Sequence, residues 1–175
     1  MTRSSSPLTV AVAVALFVLT LVAALSSQRD VGIVRDEATY MHFGTRYAAW
    51  WQGLAAGKPG MTSNETITAH FGGPRVTDGN REHPPLMKTL FGLSYRTMHQ
   101  ELGWMSGQTA YRLPTAVVFG LLVVLVYLYA RRHFGAVEGV VAALLVLFCP
   151  RLFFHGSLAT FDAPVVTLWF ATLFV

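Results

Sequence analysis

Three acidic positions in this sequence could do chemistry, because each lies beside a predicted membrane boundary. Asp36 and Glu37 follow the first apolar segment, Glu82 lies within the charged stretch REHPPLMK at 81–88, and Asp162 precedes the last apolar segment. Acidic side chains beside membrane spans are costly to bury and are often kept for function. A carboxylate at the external membrane surface could act as a general base on a hydroxyl acceptor.

Basic side chains accompany these acids and could hold an anionic leaving group. His83 and Lys88 belong to the same stretch as Glu82, and Arg112 stands just before the second apolar segment. Arginine can grip a phosphate through two parallel hydrogen bonds, whereas lysine acts on it as a point charge. The two consecutive prolines of the stretch have a fixed φ and no N–H, so they could hold their charged neighbours in a defined place.

Each of these residues also has a purely structural interpretation. Asp36 could cap the helix that follows it, and Asp162 could be the N-cap of the last helix. Glu82 could form a surface ion pair of little energetic value, and Arg112 could be an anchor that reaches the membrane interface. His83 alone could be a hydrogen-bonded structural histidine. The residue types by themselves leave both interpretations open.

The sequence contains no motif that is typical of zinc binding, nucleotide binding or serine hydrolysis. No His/Cys cluster has zinc spacing, and no Walker loop, GxGxxG or GxSxG sequence occurs. Cys149 is the single cysteine, so the chain has no internal disulfide. The basic residues are scattered among apolar runs, which indicates no nucleic-acid partner. The sequence assigns no cofactor or metal ligand and leaves a divalent cation open, since acids distant in sequence do not define a metal site.

Composition places the chain in the membrane class. It is 53% hydrophobic and 13% charged, and a soluble domain carries about twice that charged fraction. Four apolar segments are predicted to be membrane helices, at 8–25, 113–130, 136–148 and 163–175. The first could instead be a signal peptide, but its length favours a retained helix. The fourth is short for a crossing, so we expect the chain to be the N-terminal part of a longer protein.

The charge pattern predicts the orientation of these segments. Paired arginines in the short turn 131–135 indicate a cytoplasmic turn. The N-terminus is then cytoplasmic and the segment 26–112 external, in a plasma or inner membrane. Within that segment, 37–54 has helical spacing typical of a surface helix or of a core helix of an external domain, whereas 57–79 is predicted to be a loop. The consecutive prolines are predicted to begin a second surface helix, and Pro114 to lie in the first turn of a span.

Four short motifs in this order resemble a known family. They are RDEATY at 35–40, EHPPL at 82–86, YRLP at 111–114 and TFDAP at 160–164. Each stands at a predicted membrane boundary. Together they resemble the lipid-carrier-dependent glycosyltransferases with the GT-C fold, which include protein O-mannosyltransferases and the aminoarabinose transferases that modify lipid A.

The resemblance implies an all-α integral membrane fold. Residues 1–175 would be the N-terminal part of a multi-span GT-C-like helical bundle, whose long first external loop carries two juxtamembrane helices. It also implies a polyprenyl-phosphate sugar donor, a protein or lipid acceptor with a hydroxyl or phosphate group, and inverting transfer on the external face among the membrane lipids. By motif position, Asp36 corresponds to the family's catalytic carboxylate, which would deprotonate or orient the acceptor hydroxyl. The substrate-binding residues implied in the same way are Glu37, Glu82, His83, Lys88, Arg112 and Asp162.

Two other classes of function are compatible with the spans. The chain could be a non-catalytic membrane protein, such as a transporter subunit or a scaffold, or the inactive remnant of a transferase. The first of these alternatives gives no reason for acidic residues at three external boundaries. We therefore expect an inverting glycosyltransferase, with the activity of the 175-residue chain alone left open.

Overall fold

The computed structural model describes residues 6–28, 31–72 and 83–174, and within these ranges the chain is helical and contains no β-strand. The helices fall into two compact units. Unit 1 contains the described residues up to Val31 and from Thr115 onward, and unit 2 is Gly32–Pro114. In chain order the helices are α1 (Pro7–Ser27), α2 (Arg35–Ala55), α3 (Asn64–Phe71), α4 (Pro85–Ser94) with a π-helical continuation (Tyr95–Glu101), α5 (Gly107–His133), α6 (Ala136–Leu147), α7 (Pro150–Gly156) and α8 (Asp162–Ala171), which ends in a 3₁₀ turn (Thr172–Phe174).

Two of the described helices, α1 and α5, are long and apolar enough to cross a membrane. They coincide with the predicted first and second spans. The predicted third span corresponds to α6, which is followed after a short break by α7 at a bend of 69°, so this pair adds a third crossing if it forms one broken span. The predicted fourth span corresponds to the short apolar helix α8. The all-helical class is thus confirmed over the described residues and is consistent with a membrane protein, while the count of four spans remains a prediction.

Helix starts follow from local capping chemistry. The Ser6 hydroxyl accepts a hydrogen bond from Thr9 N–H (3.3 Å), and Pro7 fills the first turn of α1. The consecutive prolines begin α4 as the sequence predicted. The prediction of a loop at 57–79 was wrong for residues 64–71, which form α3. The Ser63 hydroxyl caps this helix by accepting a hydrogen bond from Thr66 N–H (3.2 Å). Residues 73–79 of that predicted loop lie outside the described residues.

Helix α5 starts earlier than the sequence predicted. The Ser106 hydroxyl accepts from Thr109 N–H (3.2 Å), so the helix begins at Gly107 and Pro114 lies inside it rather than in its first turn. A proline inside a helix has no N–H for the carbonyl four residues earlier. That carbonyl, of Ala110, instead accepts a hydrogen bond from the Ser94 hydroxyl (2.6 Å). A side chain at the end of α4 therefore satisfies the backbone group that Pro114 leaves unpaired.

Unit 1 has an apolar core drawn from α1, α5, α6 and α8. Two of its buried threonines find partners inside the unit: Thr20 donates to the Leu16 carbonyl (2.8 Å) and Thr167 to the Ala163 carbonyl (2.7 Å). Internal pairing of this kind is what a lipid environment demands, since hydrocarbon offers no alternative partner. The core side chains are Leu16, Phe119, Leu122, Val123, Tyr127, Ala143, Leu147 and Ala163.

Unit 2 is organised by the close packing of α2 against α4. Gly44 and Gly92 face each other at the crossing, where a Cβ on Gly44 would lie 2.5 Å from the Lys88 carbonyl oxygen. Helix α3 packs on the same helix α2, since the Tyr47 and Phe71 rings stack with centroids 4.6 Å apart. The two glycines let the backbones of α2 and α4 approach, which fixes the framework that carries Asp36, Glu37 and Lys88.

Candidate active site

The predicted catalytic acid lies at the start of helix α2. Asp36 is the second residue of this helix, and its side chain is exposed. The helix N-terminus carries a partial positive charge, which favours an ionised carboxylate there. The capping role that the sequence allowed for Asp36 belongs to its neighbour instead, because the Glu37 carboxylate accepts from Val34 N–H (3.3 Å). The Asp36 side chain is therefore presented outward at the helix start.

Glu37 and Arg112 form a fully buried, two-pronged ion pair within unit 2. Arg112 Nε donates to Glu37 Oε1 (2.6 Å), and Nη2 donates to Oε2 (2.7 Å). Both side chains are 0% exposed. Nη2 also donates to the carbonyl of Gly32 (2.9 Å) in the segment that leads into α2. Arg112 thus ties together the lead-in segment, the start of α2 and the first turns of α5.

Lys88 occupies an aromatic environment under the α2–α4 crossing. Its ammonium lies 5.2 Å from the centroid of the Tyr47 ring and 5.9 Å from that of Phe43. The whole side chain is 0% exposed. Aromatic faces attract cations, and the attraction is stronger where water is excluded. These contacts provide a physical reason for a lysine inside an otherwise apolar part of the unit.

His83 stands at the entry to α4. Its ring meets the Tyr40 ring edge-on, with centroids 5.5 Å apart. Helix α2 therefore contacts three of the predicted substrate-binding residues. Tyr40 contacts His83, and Glu37 binds Arg112. Phe43 and Tyr47 face Lys88. Glu82, the acid of the same motif, lies outside the described residues.

Asp162 belongs to unit 1, where it begins helix α8. The cap interpretation was wrong, because the N-cap residue is Phe161 and no side chain caps this helix. Asp162 Oδ2 lies 3.1 Å from Nδ1 of His155 at the end of α7. The Asp162 side chain is 58% exposed, so water screens this pair and it adds little stability. The partner His155 was not among the residues singled out from the sequence.

The sequence interpretation also missed a polar aromatic layer in unit 2. The Tyr111 hydroxyl and the Thr45 hydroxyl are hydrogen-bonded at 2.6 Å. The Tyr95 ring stacks on Tyr111 with centroids 4.3 Å apart and planes 8° from parallel. Tyr111 directly precedes Arg112 in the chain, so this layer braces the turn of α5 that carries the buried guanidinium. The sequence feature that could have indicated this layer was Tyr111, which stands beside the predicted site residue Arg112.

Metal binding was left open by the sequence. Among the residues that the structure describes, no group of three or more His, Cys, Asp or Glu side chains could hold a metal ion. The described site residues offer an outward carboxylate at the start of α2, a buried ion pair next to it in the chain, and a separate buried lysine on α4.

Comparison with known proteins identifies one family. The family model for dolichyl-phosphate-mannose-protein mannosyltransferase matches residues 82–175, which is more than half of the chain. The match begins after Asp36 and Glu37 and includes the other predicted site residues. No curated protein and no solved structure matches the chain. The family match confirms the resemblance that the four motifs predicted.

Proposed function

We propose that this chain, which belongs to the dolichyl-phosphate-mannose-protein mannosyltransferase family, uses Asp36 as the general base for sugar transfer from a polyprenyl-phosphate donor to a hydroxyl acceptor. Membership of the family implies an integral membrane glycosyltransferase that depends on such a donor. The observation that carries the proposal for Asp36 is its outward position beside the buried Glu37–Arg112 pair.

In the proposed step, the acceptor oxygen attacks the sugar carbon that is bonded to the phosphate. The hydroxyl proton passes to the Asp36 carboxylate, and the bond from the sugar carbon to the phosphate oxygen breaks. The phosphate leaves with that electron pair, and attack from the opposite face inverts the sugar carbon. A base positioned within hydrogen-bond reach contributes roughly 10²–10⁴-fold to such a reaction.

Positive charge is needed where the phosphate leaves. We assign His83 and Lys88 to the donor side of the site, together with Glu82, as their shared motif suggests. Lys88 is fully buried against its two aromatic rings, so its contribution is positive potential rather than direct contact. Asp162 is assigned to the acceptor or donor pocket on the basis of its motif.

Arg112 has a different role in this proposal. Its guanidinium already binds both oxygens of Glu37 and the Gly32 carbonyl. A phosphate would have to compete with these bonds in a buried place. We therefore assign Glu37 and Arg112 to positioning: they fix the start of α2 and with it the Asp36 carboxylate.

The proposed orientation follows the charge pattern of the sequence. Transfer would occur on the external face, to which the segment 26–112 belongs, with the N-terminus in the cytoplasm. A polyprenyl-phosphate donor cannot leave the bilayer, so its sugar must react at the level of the lipid headgroups. The sugar is proposed to be mannose, after the description of the matching family.

The test is transfer of radiolabelled mannose from a polyprenyl-phosphate carrier by membranes that contain the full chain. Asp36→Asn is expected to reduce transfer by roughly 10²–10⁴-fold. The matched control is Glu65→Gln, because Glu65 is also an exposed carboxylate in the first turn of a unit 2 helix. Equal transfer by wild type and Asp36→Asn would remove Asp36 from the mechanism, and no transfer by the wild type would favour a non-catalytic membrane protein.

A further inference from the structure

An apolar groove of about 450 Å³ opens on unit 2 among helices α2, α3 and α4. Trp50 and Trp51 line it from α2, Ile67 and Phe71 from α3, and Leu86 from the first turn of α4. Its volume falls in the range of about 300–1,000 Å³ that is usual for ligand clefts. The groove is therefore large enough to hold part of a small molecule.

The chemistry of the lining selects an apolar occupant. Among the described residues, no charged side chain lines the groove, and Thr89 supplies the one hydroxyl. The Trp50 ring N–H already donates to the Met61 carbonyl (2.8 Å). A sugar or a peptide would lose its hydrogen bonds to water here without replacing them, which is costly. A hydrocarbon chain has no polar group to satisfy and gains by leaving water.

Four of the lining residues are exposed at the rim of the groove: Trp51, Ile67, Pro85 and Leu86. The exposed fractions are 46% for Trp51, 37% for Ile67 and 61% for Leu86. Tryptophan is the residue type that concentrates at membrane–water interfaces, where its ring meets both lipid and water. The rim therefore has the composition of a surface that contacts lipid.

The position of unit 2 in the sequence indicates that the hydrocarbon available to the groove is bilayer lipid. It lies between α1 and α5, both long and apolar enough to cross a membrane. We infer that this groove binds one acyl chain of a bilayer phospholipid and thereby anchors unit 2 at the membrane surface. The inference goes beyond the proposed transfer reaction and does not depend on it.

Quenching of tryptophan fluorescence by brominated acyl chains tests the inference without any measurement of activity. The full chain has four tryptophans. A variant that keeps Trp50 alone carries phenylalanine at the other three positions, which are Trp51, Trp104 and Trp169. The purified variant in detergent micelles is titrated with phosphatidylcholine that is brominated in its acyl chains. We expect saturable loss of the Trp50 emission at a low lipid-to-protein ratio.

Substitutions at the rim provide the controls. Leu86→Glu places a charge at the mouth and is expected to abolish the saturable quenching. Leu90→Glu is the matched control, because Leu90 is exposed on the same helix but does not line the groove. Ile67→Glu on α3 is a second blocking variant and is expected to act as Leu86→Glu does. Circular dichroism compares the helix content of all variants, and a blocking variant that loses helix is set aside in favour of the other.

Two results would overturn the inference. Quenching that rises without saturation, equally in all variants, would mean that Trp50 meets brominated lipid only through the micelle and that the groove binds no acyl chain. Relief of quenching by a polyprenyl phosphate, but not by unbrominated phosphatidylcholine, would identify a prenyl chain as the occupant. Either result leaves the proposed role of Asp36 in transfer untouched, because the assay involves neither transfer nor that residue.

Discussion

At the scale of single residues, Glu37 and Arg112 hold opposite charges where water does not reach them. Removal of one partner of a buried pair leaves an uncompensated charge and costs about 3–5 kcal/mol, whereas apolar replacement of both partners can be nearly neutral. We expect Arg112→Met to lower the thermal unfolding temperature in detergent strongly. We expect the double variant Glu37→Leu with Arg112→Met to be more stable than the single one. A double variant less stable than Arg112→Met would contradict this account.

The same arginine allows a kinetic prediction. Arg112→Lys keeps the charge but loses the planar fork that binds both oxygens of Glu37. If Arg112 positions Asp36, transfer by this variant should show a lower kcat with little change in the KM for the donor. The measurement is the transfer rate over a range of donor concentrations. A raised donor KM with unchanged kcat would instead support direct contact between Arg112 and the phosphate.

At the scale of helices, the bond between Ser94 and Ala110 compensates for Pro114. Ser94→Ala would leave the Ala110 carbonyl without its present partner, and an unsatisfied buried group costs about 1–3 kcal/mol. Pro114→Ala restores an N–H that can reach this carbonyl within α5. We therefore expect Ser94→Ala to destabilise the protein less in the Pro114→Ala background than in the wild type. Thermal unfolding of the four proteins measures the coupling, and equal losses in both backgrounds would rule it out.

The crossing of α2 and α4 depends on its two glycines. A Cβ on Gly92 would collide with the Gly44 carbonyl, a backbone group that cannot rotate away. Forced separation of well-packed elements costs about 1–3 kcal/mol, so Gly92→Ala should lower the unfolding temperature. Gly32→Ala is the control, because nothing lies within 4 Å of a Cβ built there. Equal unfolding temperatures for the two variants would mean that the helices can separate freely.

For the whole molecule, the structural features that could be predicted from the sequence were those set by residues close together in the chain. Apolar runs and proline positions located α1 and α4, because helix length and first-turn chemistry are local properties. The partner of Arg112 could not be predicted, since Glu37 lies 75 residues away and only the folded unit brings them together. The early start of α5 was missed because the cap at Ser106 stands before a polar turn that hydropathy places outside the span.

The orientation of the chain in the membrane can be tested through its native cysteine. Cys149 is the single cysteine and stands at the break between α6 and α7. If the end of α5 with its paired arginines is cytoplasmic and the predicted third span 136–148 crosses the membrane by itself, Cys149 lies at the external end of that span. We expect a membrane-impermeant maleimide to label it in intact cells.

Two single-cysteine controls in a Cys149→Ser background calibrate this labelling. Glu65→Cys places an exposed thiol in α3 and should react in intact cells, because unit 2 is proposed to be external. Arg132→Cys places an exposed thiol in the last turn of α5, where the structure extends the helix over residues 131–133 of the predicted turn, and it should react only after the membrane is permeabilised. Labelling of Arg132→Cys in intact cells, with protection of Glu65→Cys, would reverse the orientation. Asp36, in the same unit as Glu65, would then face the cytoplasm and could not act on an external acceptor.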